Sequence, residues 1–227
     1  MPHSLFTRSW RSVSPNCARR IRLMKETTRD RYVMVYNADL CIGCAACSIE
    51  CRRFYGLDEK GSFRVRIKTQ ETGSFPDVTL EHVRVSCAHC ANAECIKECP
   101  TGATFRAEDG FVLITQERCI GCGACVDACP YGARYMRQIG QMLKADKCAW
   151  CYARVYEGQK PVCVEKCITG ALLFGLSSDP AIKAALEEPG VDVYHPEYNT
   201  KPQLYRKGVR PRHKDVKVLA QVPYPMG

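Results

Sequence analysis

Residues 31–37, Arg-Tyr-Val-Met-Val-Tyr-Asn, alternate and are β-branched, which predicts a short strand. The same period of two returns over residues 63–69 and 78–86. The turn-like Gly73-Ser74-Phe75-Pro76-Asp77 separates them, so the two stretches are expected to form a hairpin. A further short strand is expected over 111–115, behind the turn Glu108-Asp109-Gly110. Helical periodicity is sparse: a turn of helix after Cys51 that stops near Gly56, and a short amphipathic helix over 180–188. From Gly190 to Gly227 the chain is rich in Pro, Tyr, Lys and Arg with little periodicity. Such a tail buries little of itself and reads as an extended arm, laid on a partner subunit or wrapped over its own domain. No run of 18 apolar residues is present, so no segment is expected to span a membrane.

Cysteine punctuates these weak elements. Of 17 cysteines, all but Cys17 fall into four groups of four. They are Cys41, Cys44, Cys47, Cys51; Cys87, Cys90, Cys95, Cys99; Cys119, Cys122, Cys125, Cys129; and Cys148, Cys151, Cys163, Cys167. An internal repeat runs through them. Leu40-Cys41-Ile42-Gly43-Cys44-Ala45-Ala46-Cys47 matches Arg118-Cys119-Ile120-Gly121-Cys122-Gly123-Ala124-Cys125 almost residue for residue. A second echo follows three of the fourth cysteines, as Cys99-Pro100-Thr101-Gly102-Ala103, Cys129-Pro130-Tyr131-Gly132-Ala133 and Cys167-Ile168-Thr169-Gly170-Ala171. Its Gly-Ala is placed where the chain turns from a helix end into a strand. Pro100 and Pro130 cannot continue a helix ladder.

The third group, followed by Pro130, reads C-x2-C-x2-C-x3-C-P, the run that holds 4Fe–4S clusters in bacterial ferredoxins. Three cysteines two residues apart wrap three corners of a cubane, and the small residues between them let backbone N–H groups approach the sulfurs. The fourth cysteine is expected to begin a helix, point away and ligate the other cluster of a pair. Under that crossing rule the two groups closest in sequence exchange fourth ligands. This gives the sets Cys87, Cys90, Cys95 with Cys129, and Cys119, Cys122, Cys125 with Cys99. The outer groups then give Cys41, Cys44, Cys47 with Cys167, and Cys148, Cys151, Cys163 with Cys51. The expected fold is α+β, two ferredoxin-like units with two clusters each, one inserted into the other. Residues 30–79 and 140–176 form the outer unit, 80–139 the inserted unit and 177–227 the extended C-terminal arm. Zinc remains an alternative for the fourth group alone, whose eleven-residue gap between Cys151 and Cys163 resembles a zinc loop. A disulfide framework suits shorter, secreted chains. Cys17 reads as a bystander thiol.

The formal net charge of +9 suggests nucleic acid until the cofactors are counted. An oxidised all-cysteinyl 4Fe–4S cluster carries about −2, so four contribute roughly −8 and leave a near-neutral holoprotein. An iron–sulfur regulator binding nucleic acid is therefore disfavoured. Residues 1–23 are rich in Ser and Arg, lack any acidic residue and have no apolar segment behind Arg19-Arg20, unlike a secretory signal. Residues 1–29 read as a disordered extension or a mis-assigned start with Met24 as the true beginning; a transit peptide is the alternative. Lys144, Lys147, Lys166 and Trp150 are candidates, by adjacency to cysteines, for tuning cluster potential, against a plainer role in charge balance and packing. His89, between Cys87 and Cys90, is read as solvent-facing, with a hydrogen bond to a cluster sulfur as the alternative. Nothing in the chain makes a nucleophile–base constellation or a nucleotide fingerprint, so an electron carrier and not a catalyst is expected.

The four groups in this order, with the x4 gap at 91–94 and the long gap of the fourth group, resemble the iron–sulfur (beta) subunit of the dimethyl sulfoxide reductase family of molybdopterin oxidoreductases. The resemblance covers about 30–175, and Thr200-Lys201-Pro202 resembles a C-terminal element of several members. It implies a molybdopterin catalytic partner, an integral membrane quinol-linked partner and four 4Fe–4S clusters. It also implies an order: the Cys41 set nearest the catalytic subunit, then the Cys148 and Cys87 sets, and the Cys119 set toward the membrane subunit. Location is then at the membrane through partners, on the periplasmic side by co-export or, alternatively, cytoplasmic. A free-standing polyferredoxin, or the electron module of another redox enzyme such as a hydrogenase or aldehyde oxidoreductase, is the rival reading.

Overall fold

The computed structural model describes residues 30–57, 62–208 and the strand Lys217–Gln221. The expectations for residues 1–29, with Cys17, Arg19-Arg20 and Met24, lie outside the described residues. Along the chain run β1 (Tyr32–Asn37), α1 (Ala46–Tyr55), β2 (Val65–Ser74), β3 (Asp77–Ser86), α2 (Glu94–Lys97), β4 (Thr104–Arg106), β5 (Val112–Ile114) and α3 (Ala124–Asp127). Then come β6 (Arg134–Ile139), β7 (Met142–Lys147), α4 (Tyr152–Tyr156), α5 (Val162–Glu165), β8 (Leu172–Leu176), α6 (Pro180–Glu187), β9 (Val191–Val193), β10 (Leu204–Lys207) and β11 (Lys217–Gln221). The result is a mixed α+β fold of small, mainly antiparallel sheets joined by short helices.

Strand β1 lies between two partners. β8 pairs with it antiparallel from Tyr32↔Leu176 to Tyr36↔Leu172, and β10 pairs parallel from Met34↔Leu204 to Asn37↔Lys207. With both edges covered and both faces packed, all five residues from Tyr32 to Tyr36 are buried. β9 completes this sheet in the order β8-β1-β10-β9. Residues 191–207 are thus not a free arm: two of their segments are strands, and Leu204 has no exposed surface. Strands of three and four residues are too short for periodicity to register in the sequence.

The expected hairpin forms with longer strands, β2 and β3 pairing from Val65↔Ser86 to Ser74↔Asp77, and β11 adds to it. β4–β5 and β6–β7 are separate two-stranded hairpins. The helices differ from expectation in one respect. The third cysteine of each group lies in a helix, Cys47 in α1, Cys95 in α2, Cys125 in α3 and Cys163 in α5, and in three of the four groups the fourth does not. Three of these helices have only four residues, so Cys99, Cys129 and Cys167 fall just beyond their ends; α1 is longer and contains Cys51. The main core holds Tyr32, Phe111 and Trp150, with Phe174 packed against them and Cys51, Cys87, Cys148 and Cys163 within it. Phe174 stacks on Tyr32 with ring centroids 5.3 Å apart.

Candidate metal centres

Each cysteine loop is closed by backbone geometry that its sequence dictates. Gly102, Gly132 and Gly170 take left-handed φ of 60°, 55° and 69°, and each turns the chain from just beyond a fourth cysteine into β4, β6 or β8. The Gly-Ala echo is therefore a helix-to-strand corner. Gly121 answers a different demand. A Cβ there would lie 2.1 Å from the Leu143 carbonyl oxygen, so the β6–β7 hairpin presses its backbone onto the third cysteine loop.

Helix packing brings the groups together two by two. α1 packs on α5, joining the first group to the fourth, and α2 packs on α3, joining the second to the third. Cys47 has Cys163, Cys41 and Cys167 as charge neighbours, and Cys51 has Cys148, Cys163 and Cys151. Cys90 has Cys87, Cys95 and Cys129. These last four thiols line one cavity with Ala88, Pro130, Tyr131, Arg134 and Thr200. In the remaining set Cys119 and Cys122 lie on their loop and Cys125 in α3. Cys99, beyond α2, accepts from the Thr104 N–H at 3.4 Å. All sixteen described cysteines are free thiols. Among the described residues no three Cys, His, Asp or Glu side chains form a group fit for a single ion.

Do the surroundings fit iron–sulfur clusters? Burial pushes the Cys47 and Cys90 thiols up to about 12 and Cys95 up to about 11, with neighbouring cysteines adding to the rise. Bare thiolates are costly there, and metal binding is what displaces such protons. More telling are three of the four buried cations, those that stand beside cysteines, the fourth being Arg206 over the Tyr194 ring. Arg84, Arg134 and Lys147 are all inside, and among the described residues none has a carboxylate within 4 Å. Arg84 donates to Ser86 Oγ and, at 3.5 Å, to Cys163 Sγ, while its Nε has no partner. Arg134 donates to Thr104 Oγ1 at 3.1 Å, and its Nη2 has none. An uncompensated buried charge is strongly destabilising. Anionic clusters held by the adjoining cysteines are the countercharge this interior requires. The residues fit the group.

His89 is corrected outright. It is fully buried, stacked on Trp150 at 4.1 Å, and bonded to protein backbone at both nitrogens. Nδ1 accepts from the Val112 N–H at 2.9 Å and Nε2 donates to the Cys148 carbonyl at 3.2 Å, the bonds of a neutral imidazole. Burial, and then the Lys147 charge, depress its pKa well below the ordinary histidine value. Of the four candidates by adjacency, Lys144 donates to the Gln116 carbonyl at 2.6 Å and Lys166 pairs with Glu165 at the surface. Trp150 belongs to the core. Only Lys147 is a buried cation beside cysteines, donating to the Val112 and Cys148 carbonyls.

Thr200-Lys201-Pro202 proves to be a seal on the second cysteine loop. The Ala91 N–H donates to the Lys201 carbonyl at 2.7 Å and the Asn92 N–H to the Thr200 carbonyl at 2.8 Å. Thr200 Oγ1 meets the Tyr131 hydroxyl at 2.5 Å beside the thiol cavity. Arg84, Arg134 and Tyr131 carry no signal in the sequence that would single them out.

Residues 78–177 match the model of the 4Fe-4S dicluster domain, and residues 38–56 match that of the 4Fe-4S binding domain. The chain is 41% identical over 180 residues to protein NrfC of Escherichia coli, covering 78% of this chain and 80% of that protein. It is 42% identical over 156 residues to the thiosulfate reductase electron transfer subunit PhsB of Salmonella typhi, 68% and 80% of the two chains. Against a tetrathionate reductase subunit of Salmonella typhimurium, identity is 37% over 188 residues, 80% and 74%.

Proposed function

We infer the role from one premise: this chain belongs to the family of iron–sulfur electron-transfer subunits of dimethyl sulfoxide reductase-type respiratory complexes. It is an electron-transfer subunit and performs no bond chemistry of its own. It works between a molybdopterin catalytic subunit and a membrane-linked, quinol-facing one. Among the described residues no helix is long and apolar enough to cross a membrane, and association with the membrane is through those partners.

Its cargo is four 4Fe–4S clusters, held by Cys41, Cys44, Cys47 with Cys167; by Cys148, Cys151, Cys163 with Cys51; by Cys87, Cys90, Cys95 with Cys129; and by Cys119, Cys122, Cys125 with Cys99. When bound, each cluster accepts and gives up one electron. The observation that carries this reading is the neighbourhood of the thiols, since the Cys47, Cys51 and Cys90 surroundings each draw their fourth cysteine from a distant part of the chain. The β1–β8 pairing supports the nested layout, with residues 30–79 and 140–176 closing around 80–139.

The two ends of the path would be the Cys41 and Cys119 sets, the first toward the catalytic subunit and the second toward the membrane partner. In support, Cys44 and Cys122 are the exposed members of the sixteen. Leu40, Ile42 and Ile168 stand exposed beside the first set, and Ile120, Met142 and Leu143 beside the second. Exposed apolar collars of this kind suit subunit docking. Co-export of the complex would place the chain on the periplasmic side. The substrate belongs to the catalytic partner; by their names, PhsB and the tetrathionate reductase relative serve reductases of sulfur compounds.

Metal analysis after oxygen-free purification from the native host tests the reading. About sixteen iron atoms per chain, with molybdenum or tungsten co-purifying, is the expected result. Full iron without either metal would point to a free polyferredoxin. Iron near twelve together with zinc would overturn the Cys148 set.

A further inference from the structure

Of the four buried cations, Arg206 lies over the Tyr194 ring, and the other three, Arg84, Lys147 and Arg134, stand among the cysteines. Arg84 touches Cys163 of the Cys148 set at 3.5 Å and is also a charge neighbour of Cys148 and of Cys47, in the Cys41 set. Lys147 donates to the Cys148 carbonyl at 2.9 Å and is a charge neighbour of Cys95, in the Cys87 set. Arg134 lines the cavity of Cys87, Cys90, Cys95 and Cys129, and Cys125, of the Cys119 set, is a further charge neighbour. Three cations thus fall one to each of the three gaps between four successive thiol sets.

We propose that Arg84, Lys147 and Arg134 are charge spacers, each a buried cation shared by two successive clusters and setting the potential of both. This rests on the four-set reading above. The physics concerns the extra electron. Adding a negative charge to a centre in a low-dielectric interior is expensive unless a fixed positive charge stands nearby. A cation beside a single centre would stabilise the electron there and create a step along the path. A cation in the gap favours the reduced state on both sides, so it raises both potentials with little bias in direction. Neighbouring protein charge is a recognised control on cluster potential. The packing suits a fixed charge: the Arg84 carbonyl accepts from buried Arg206, and Lys147 Nζ is held between two carbonyls.

The test is redox titration of the intact, cluster-loaded protein followed by electron paramagnetic resonance, with iron counted in every sample. Arg84→Gln is expected to lower the midpoint potentials of two of the four centres and leave two in place. Lys147→Met is expected to lower two, one of them shared with Arg84→Gln. Arg134→Gln is expected to lower the pair that Arg84→Gln leaves alone. Arg84→Lys keeps the charge and is expected to leave all four near their wild-type positions. The proposal is overturned if fully loaded Arg84→Gln and Arg134→Gln move no potential or move all four alike. It is equally overturned if Arg84→Lys shifts potentials as far as Arg84→Gln, or fails to restore iron that Arg84→Gln has lost, because shape and not charge would then be the cause. Wild-type iron well short of sixteen would overturn the four-set reading instead, whatever the potentials do.

Discussion

At the scale of single residues, the cysteine groups are legible in the sequence and the buried cations beside them are not. Cysteine spacing announces itself because a cubane's corners dictate it. Arg84 lies between Val83 and Val85 in a strand that reads as having an outward face, yet the end of that strand is buried on both sides. Its contact is Cys163, 79 residues away, so nothing in the alternation marks the arginine as internal. His89 reads as a surface residue for a related reason: its two bonding partners, Val112 and Cys148, are distant in sequence. Gly121 shows how little room the loops leave. Gly121→Ala is expected to force the third cysteine loop away from Leu143, and iron should fall by about four atoms per chain, one cluster's worth. Asp109 carries a pH signature. Burial raises its pKa, against hydrogen bonds from Tyr156 Oη at 2.7 Å and the Phe111 N–H at 3.3 Å. A carboxyl raised in the folded state stabilises the fold while protonated. That contribution is lost as pH rises from the unfolded value near 4 through the folded one. At pH 7 the buried carboxylate is a burden, so Asp109→Asn, whose Oδ1 still accepts from the Phe111 N–H and whose Nδ2 can donate to Tyr156 Oη, should melt no lower than wild type. A markedly lower melting temperature at pH 7 would contradict this.

Among the elements, the longer strands and the helix over 180–187 follow their sequence patterns closely, as does the hairpin around 75–76. The short pieces do not. Helices α2, α3 and α5 have four residues each, barely one turn, and no apolar period can be read from so few positions. What holds them in place is packing between helices, α2 on α3 and α5 on α1. β10 is the clearest case of an element invisible in sequence yet central in space, since it supplies the parallel partner of β1. Leu204→Ala should destabilise the protein by about 2–5 kcal/mol, the usual cost of emptying a fully buried leucine site. Anaerobic denaturant unfolding would measure it. A cost below about 1 kcal/mol would show that β10 is dispensable packing.

For the whole molecule, cofactor and core are one structure. Cys51, Cys87, Cys148 and Cys163 belong to the main buried cluster, and among the described residues Arg84, Lys147 and Arg134 have no carboxylate countercharge within reach. Removing the clusters should therefore leave unpaired buried cations and collapse the fold. Circular dichroism during chelation is expected to fall together with the iron–sulfur absorbance, and native dichroism surviving complete iron loss would refute the coupling. The β1–β8 pairing has a consequence for how the protein is made. A ribosome delivers β1 and the first four cysteines early, but β8 and Cys167 emerge about 130 residues later, roughly ten seconds at ordinary elongation rates. Until then the first cysteines have no second half to meet, whereas Cys87 to Cys129 are complete within a single short stretch of synthesis. On the proposed nested layout, maturation has a built-in sequence, inner unit before outer. The thiols left waiting longest at the tunnel exit are those of the first group, the set proposed to face the catalytic partner.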